Sequence, residues 1–384
     1  MSNLPTAITT WLAPQLDQYL AELHQLCAIE SPSQSKVGVD EAGAWVRRWA
    51  ESRGWEIQAF PDAEAGDGLV VSVRGSGQAR IMLVAHLDTV YPVGTAAARP
   101  LRQEGGQLIG PGSADNKSGL LSGLYAAAAV AALAPTSFGL VSVVCGGDEE
   151  TDSRASGAML AELAPHYDLA LVLEAGRENG DIVSARKGSG LFTLTVTGRA
   201  AHAGVEPEKG ASAILALAQQ IVGLQALNTV WPGVTVNVGV ITGGSVPNAV
   251  PDHATAQVDV RVVHNEQIPA VEAALHAITG AELVPGTHTV LGGDWGFPPM
   301  ARTPEIARLA DLARSCAADL GYTIHDAATG GASYANLLAG LGLPVLDGLG
   351  PVGGLDHSPN EYIDLDSIIP RTALLALLLT RVGV

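Results

Sequence analysis

Positive charge is scarce in this sequence: 21 Lys and Arg stand against 39 Asp and Glu, a net charge of -18. A body that acidic repels nucleic acid and anionic membrane surfaces, so neither is expected as a partner. Cysteine is scarcer still. Cys27, Cys145 and Cys316 lie far apart, are odd in number and never form Cys-x-x-Cys. That excludes a disulfide framework and predicts reduced thiols in a reducing, cytoplasmic setting. The N-terminal residues lack a basic segment followed by an apolar one, so no signal peptide is expected. The most apolar run, Gly119 to Leu133, is too short to span a bilayer and reads as a buried helix. Internal repeats and low-complexity tails are also missing.

What remains is a globular composition: 47% hydrophobic and 16% charged residues, with 45 Gly. A chain of 384 residues can form two domains of ordinary size. Apolar residues at helical spacing predict helices over 12–30 and 40–54, the second closed by Gly54. Short aliphatic runs at Leu69–Val73, Arg80–Ala85, Leu140–Cys145 and Leu169–Leu173 then alternate with helices near 117–133 and 154–164. This pattern predicts a largely parallel sheet covered on both faces. The character changes at Arg186-Lys187-Gly188. A strand from Leu191 alternates apolar and polar residues, as a sheet with one wet face does. A helix (211–227), strands (233–242, 254–263), a helix (266–279) and a strand near 284–291 complete a ferredoxin-like order. Beyond Ala301 come a helix at 303–320 and a strand at Pro344–Leu346. The fold class is therefore α/β: a catalytic domain (1–186 and 295–384) with a mostly parallel central sheet flanked by helices. Residues 187–294 form an inserted ferredoxin-like α+β lid and dimerisation domain.

Several chemistry-bearing residues follow these strands. His86 and Asp88 end the first, the pair Glu149-Glu150 follows the second and Glu174 the third. Open α/β sheets bind ligands beyond the carboxyl ends of their strands. Asp115 lies in a glycine-rich turn before the Ala-rich helix, and His357 in the loop Gly353-Gly-Leu-Asp-His-Ser-Pro. Each has an ordinary reading alone: a strand-end pair, a solvated acidic loop, a helix cap at Asp115, a loop histidine. Jointly, two imidazoles and three carboxylates suit two divalent cations, zinc first, with cobalt or manganese as alternatives. Three carboxylates and a bridging hydroxide nearly neutralise two dications. Asp115 is the natural bridge, since one carboxylate spans metals roughly 3.5–4 Å apart. Asp88 is placed to accept the second imidazole N–H of His86. The segment Gly110–Ser118 imitates a phosphate loop but has Asn116 where Gly-Lys-Ser needs its glycine.

Taken together, Ala85-His-Leu-Asp-Thr-Val, Gly110-Pro-Gly-Ser-Ala-Asp-Asn-Lys-Ser-Gly, Gly147-Asp-Glu-Glu, Val172-Leu-Glu, Gly198-Arg-Ala-Ala-His-Ala-Gly and Gly353-Gly-Leu-Asp-His-Ser-Pro-Asn-Glu-Tyr carry a resemblance. The chain resembles the dinuclear zinc amidohydrolases and exopeptidases: carboxypeptidase G, acetylornithine deacetylase, succinyl-diaminopimelate desuccinylase and aminoacylase. The resemblance implies one metal on His86, Asp115 and Glu174, and the other on Asp115, Glu150 and His357. It makes Glu149 the general base acting on a metal-bridging water. It also implies a cis peptide after Asp115, and a homodimer joined through the lid. In that dimer His202 stabilises the oxyanion in the partner's site, with Asn248 as a second donor. The expected substrate is a small N-acyl or N-carbamoyl amino acid, or a short peptide. Gly330, Gly331, Phe297 and Tyr334 are expected near it. Two departures bear on specificity. Many relatives have Arg-Pro-Pro-Met where this chain has Phe297-Pro-Pro-Met, and an acidic residue where it has Tyr334. Losing an arginine anchor is not conservative, although Arg261 or Arg302 could substitute. The expectation is a pocket friendlier to an apolar or blocked group than to a free α-carboxylate. The rival readings are a di- or tripeptide aminopeptidase and a catalytically silent, metal-stabilised binding protein.

Overall fold

Strands that are apolar along their whole length must be covered on both faces. In the computed structural model, which describes residues 4–382, Arg80–His86, Leu140–Gly146 and Leu169–Val172 are buried almost throughout. They lie in a six-stranded sheet ordered Glu56–Phe60, Gly68–Arg74, Leu140–Gly146, Arg80–His86, Leu169–Val172, Val345–Leu346. The last four pair in parallel. The first two run antiparallel, because the connections on either side of Gly68–Arg74 are too short for the crossover that parallel pairing needs. Ile81, Leu83 and Ala85 pack with residues of helices Leu4–Leu12, Ser118–Leu133 and Ile368–Leu379 on one face. The alternate residues Met82 and Val84, equally buried, point to the other face.

Chain-breaking residues refine the expected boundaries. The helix expected over 12–30 is Leu16–Ala28, and Pro14 separates it from an earlier helix, Leu4–Leu12; proline removes a donor and clashes with the preceding turn. Ser35, Ser212 and Thr303 cap the helices Lys36–Glu51, Ala213–Ala226 and Pro304–Asp319 through their side-chain oxygens. A small four-stranded sheet, Gly353–Gly354, Tyr362–Asp364, Gln107–Ile109 and Arg102–Glu104, has strands too short to leave a periodic signal.

The chain divides into two compact units. One comprises the chain up to Ala185, Arg302–Thr329 and the chain from Ser333 onward; the other comprises Arg186–Ala301 with Gly330–Ala332. The second unit has the order strand Gly188–Thr197, helix Ala213–Ala226, strands Thr235–Gly243 and His253–Val262, helix Ile268–Thr279, strand His288–Phe297. Its sheet is antiparallel throughout, ordered Thr235–Gly243, His253–Val262, Gly188–Thr197, His288–Phe297. The last strand begins later than the sequence suggests because Gly286, at φ 82°, turns the chain first. Among the described residues, no helix is long and apolar enough to cross a membrane.

Gly119 permits the closest approach of helix to sheet. A Cβ there would overlap the carbonyl oxygen of Leu173, one residue before Glu174. Gly119→Ala should therefore destabilise the protein by about 1–3 kcal/mol, despite alanine's better helix propensity. Urea unfolding checks this: the midpoint should fall with the slope unchanged, and an equal or higher midpoint would contradict the packing argument.

Candidate metal centre

The parallel register aligns three strand ends. His86 is opposite Gly146, and Val84 opposite Val172. The residues just beyond those ends, Glu149, Glu150 and Glu174, are thereby delivered beside the His86 imidazole. Asp115 precedes the helix Ser118–Leu133, and the peptide between it and Asn116 is cis, as the resemblance implies. His357 reaches the same place from the small sheet, whose strand Tyr362–Asp364 pairs with Gln107–Ile109. It stands at φ 61°, a left-handed conformation uncommon outside glycine and frequent where a side chain must be aimed at a site.

Asp115 is the centre of the group. Its Oδ1 lies 2.9 Å from His86 Nε2, and its Oδ2 lies 3.0 Å from His357 Nε2. His357 Nε2 is also 3.1 Å from Glu150 Oε2, and His86 Nε2 is 3.9 Å from Glu174 Oε1. All five expected ligands thus converge, and His86, Asp115 and Glu150 offer ligand atoms within 4.8 Å of one another. Glu174 Oε1 is buried without a hydrogen-bond partner, as suits an oxygen meant for a cation. The donor set, two imidazole nitrogens and three carboxylates, fits divalent metals of the zinc type.

Electrostatics point the same way. Burial pushes Glu149 up to about 8 and raises Glu150, with the neighbouring carboxylates adding to both. Burial, then Asp115, drives Glu174 well above the usual range. Burial would also raise Asp115, but hydrogen bonds from His357 and His86 hold it below its ordinary value. Those to Asp115 and Glu150 push His357 up to about 11. For His86, burial works downward, yet the bonds to Asp115 and Asp88 leave it well above its usual value. A crowd of buried carboxylates therefore demands positive charge at this point.

Asp88 does more than expected. The nearer acceptor for His86 Nδ1 is the Asp88 backbone carbonyl at 2.9 Å, with its Oδ1 at 3.4 Å. Either contact keeps the proton on Nδ1 and turns Nε2 toward Asp115. The Asp88 carboxylate also accepts from the Glu149 and Glu150 amides, each at 3.1 Å, and from Ser33 Oγ at 2.7 Å. It thereby ties the acidic loop to the His86 strand.

Other expected residues lie elsewhere. Tyr334 is fully buried, its ring edge-on to His86 at 6.5 Å between centroids. It stands behind the centre and cannot line an open pocket wall. His202, Asn248, Phe297, Gly330 and Gly331 belong to the second unit. There His202 pairs with Ala249, and Ala203 N donates to Asn248 O at 2.9 Å, so His202 and Asn248 lie on one ribbon. His202 Nδ1 accepts from Gly204 N at 3.2 Å, which leaves Nε2–H as a free donor. Neither proposed substitute arginine is unpaired: Asp259 holds Arg261, and Asp326 holds Arg302. Sequence reasoning missed Glu361 and Tyr91. The only trace of Glu361 was its place in the run that follows His357.

A model of the peptidase dimerisation domain matches residues 184–287. Carboxypeptidase G2 of Pseudomonas sp. (strain RS-16) is 28% identical over 366 residues, covering 94% of this chain and 88% of the relative. Acetylornithine deacetylase of Proteus mirabilis is 26% identical over 286 residues, covering 68% of this chain and 71% of the relative. Among solved structures, aminopeptidase PepT from Bacillus cereus aligns with a TM-score of 0.78 at 23% identity, over 95% of this chain and 98% of the other. That last likeness concerns the fold. The chain thus carries a peptidase dimerisation domain and is similar, over most of its length, to the metallohydrolases that include carboxypeptidase G2 and acetylornithine deacetylase.

Proposed function

We propose that the protein hydrolyses an amide-type bond in an N-acyl or N-carbamoyl amino acid or a short peptide, using two divalent cations, zinc first. The observation that carries this reading is the convergence of His86, Glu150, Glu174 and His357 around Asp115, beside Glu149. His86, Asp115 and Glu174 would hold one cation, and Asp115, Glu150 and His357 the other. When bound, such a pair lowers the pKa of water and polarises an acyl oxygen. Glu149, its amide fixed by Asp88, takes the proton of the attacking water and hands it to the departing nitrogen. His202 Nε2–H and the Asn248 amide are donors for the oxygen that gains charge, supplied from a second copy. A homodimer is supported by the edge strand Thr235–Gly243, which leaves Val240 and Ile241 exposed; an apolar open edge calls for a covering strand. The three free cysteines are all buried, in keeping with a cytoplasmic setting.

Specificity follows from a rung across the second unit's sheet. Arg261 is opposite Ser189, and Ser189 opposite Phe297, so the three share one face. With Arg261 already chelated by Asp259, that face offers a phenyl ring and a neutralised guanidinium. A substrate with an apolar or blocked group suits it better than one with a free α-carboxylate.

Glu149→Ala should retain its metals by elemental analysis yet lose turnover by about 10²–10⁴-fold; near-normal activity would remove Glu149 as the base. Exhaustive chelation should abolish hydrolysis and lower Tm, and restored zinc at 100 times its Kd should return about 2.7 kcal/mol of stability. Activity that survives metal stripping would end the metallohydrolase reading. On a panel of substrates, blocked or apolar ones should outpace N-acylated glutamate. A collapse of efficiency when the glutamate carboxylate is amidated would refute the specificity argument, and an absolute need for a free substrate amine would favour an aminopeptidase.

A further inference from the structure

Glu361 is only 1% exposed, yet it is not among the expected metal ligands and, among the described residues, forms no ion pair with a basic side chain. Its Oε1 accepts from the amides of Ala114 and Asp115 at 2.8 and 2.9 Å. Its Oε2 accepts from the amide of Gly112 at 2.9 Å and the hydroxyl of Tyr91 at 2.6 Å. Both oxygens are thus saturated, two donors to each, and none is left to ligate a cation. The Tyr91 hydroxyl also lies 2.9 Å from the carbonyl of Ser358. Glu361's own backbone accepts from Gly110 N at 3.0 Å and donates to Ser358 O at 3.3 Å.

These bonds join three stretches of chain that each carry a ligand. Tyr91 lies on the loop that leaves His86. Gly112, Ala114 and Asp115 form the turn presenting the central carboxylate. Ser358 adjoins His357. We infer that Glu361, with Tyr91, is a positioning residue that fixes the relative placement of His86, Asp115 and His357, and so sets the affinity of the centre for its metals. The inference rests on the metal reading given above. Only a carboxylate meets the geometry. Glutamine at the same place would aim an N–H₂ group at backbone donors, and alanine would leave three buried amides without an acceptor.

The test uses the full-length protein loaded with zinc, measuring zinc per chain and Kd by competition with a chelating dye. Groups that orient metal ligands typically govern affinity by about 10- to 100-fold. Glu361→Gln should weaken zinc binding within that range, and Tyr91→Phe, which keeps the carboxylate, should do so by about tenfold. Asp326→Asn is the control. It strips a largely buried carboxylate from Ser184, Arg302 and Arg314, and should lower Tm without changing zinc affinity. If Glu361→Gln does not fold, Tyr91→Phe decides the matter alone. Wild-type affinity in the folded variants, or an equal loss in Asp326→Asn, overturns the inference while leaving the metal reading intact. A wild-type protein that takes up no zinc sinks both.

Discussion

The structure turns on the electrostatic cost of placing Asp115, Glu149, Glu150 and Glu174 together out of water. Isolated buried carboxylates are so unfavourable that they take up protons instead, and three of these four are raised accordingly. Asp115 escapes only because two imidazoles bond to its two oxygens. Protons on His86 and His357 therefore occupy the positions that suit cations, on ring nitrogens already directed at carboxylate oxygens. A purely structural ion-pair network would have no reason to leave Glu174 Oε1 buried and unbonded. A centre built for metals does.

Two further carboxylates, Asp88 and Glu361, lie against this crowd and would seem to worsen it. Their partners show what they do there. Asp88 accepts two backbone amides and a serine hydroxyl, and Glu361 accepts three amides and a tyrosine hydroxyl. Such donors bind the chain where the ligands are attached. Each acid thus converts charge into backbone placement. Asp88 fixes the acidic loop against the His86 strand, and Glu361 fixes the turn that presents Asp115. Side chains held through backbone amides inherit the rigidity of the sheet, which loops alone could not give.

Much of this was legible in sequence, and the reason is local. A run such as Ile81–Ala85 announces a covered strand, and a polar residue at its end is conspicuous. Parallel neighbours then bring such ends together, so His86, Glu150 and Glu174 could be grouped before any coordinates. The ferredoxin-like order of the second unit was legible for the same reason, since its strands are long and alternate. The antiparallel edge formed by Glu56–Phe60 and Gly68–Arg74 was not, because pairing direction depends on loop lengths rather than on strand composition. The small sheet was invisible because strands of two or three residues carry no period. Glu361 was invisible because its partners are backbone amides, which have no residue identity to read. Tyr334 misled for a related reason: a match by position with an acidic residue says nothing of burial.

Specificity shows where pattern gives way to physics most sharply. The departures at Phe297 and Tyr334 could be seen from sequence, yet their consequences differ. Tyr334 is sealed behind His86, with its hydroxyl against Gly146, where any Cβ would collide with it. Its effect must pass through the packing of the His86 ring and the end of the strand Leu140–Gly146. Phe297 lies on a sheet face with Arg261, whose charge Asp259 already satisfies. To bind a substrate carboxylate there, Arg261 would have to give up an existing ion pair, and the exchange of one carboxylate for another yields little net energy. An apolar group meeting Phe297 has no such exchange to make. On the proposed reading, Phe297 and the Asp259-bound Arg261 would therefore favour apolar or blocked groups over acidic ones.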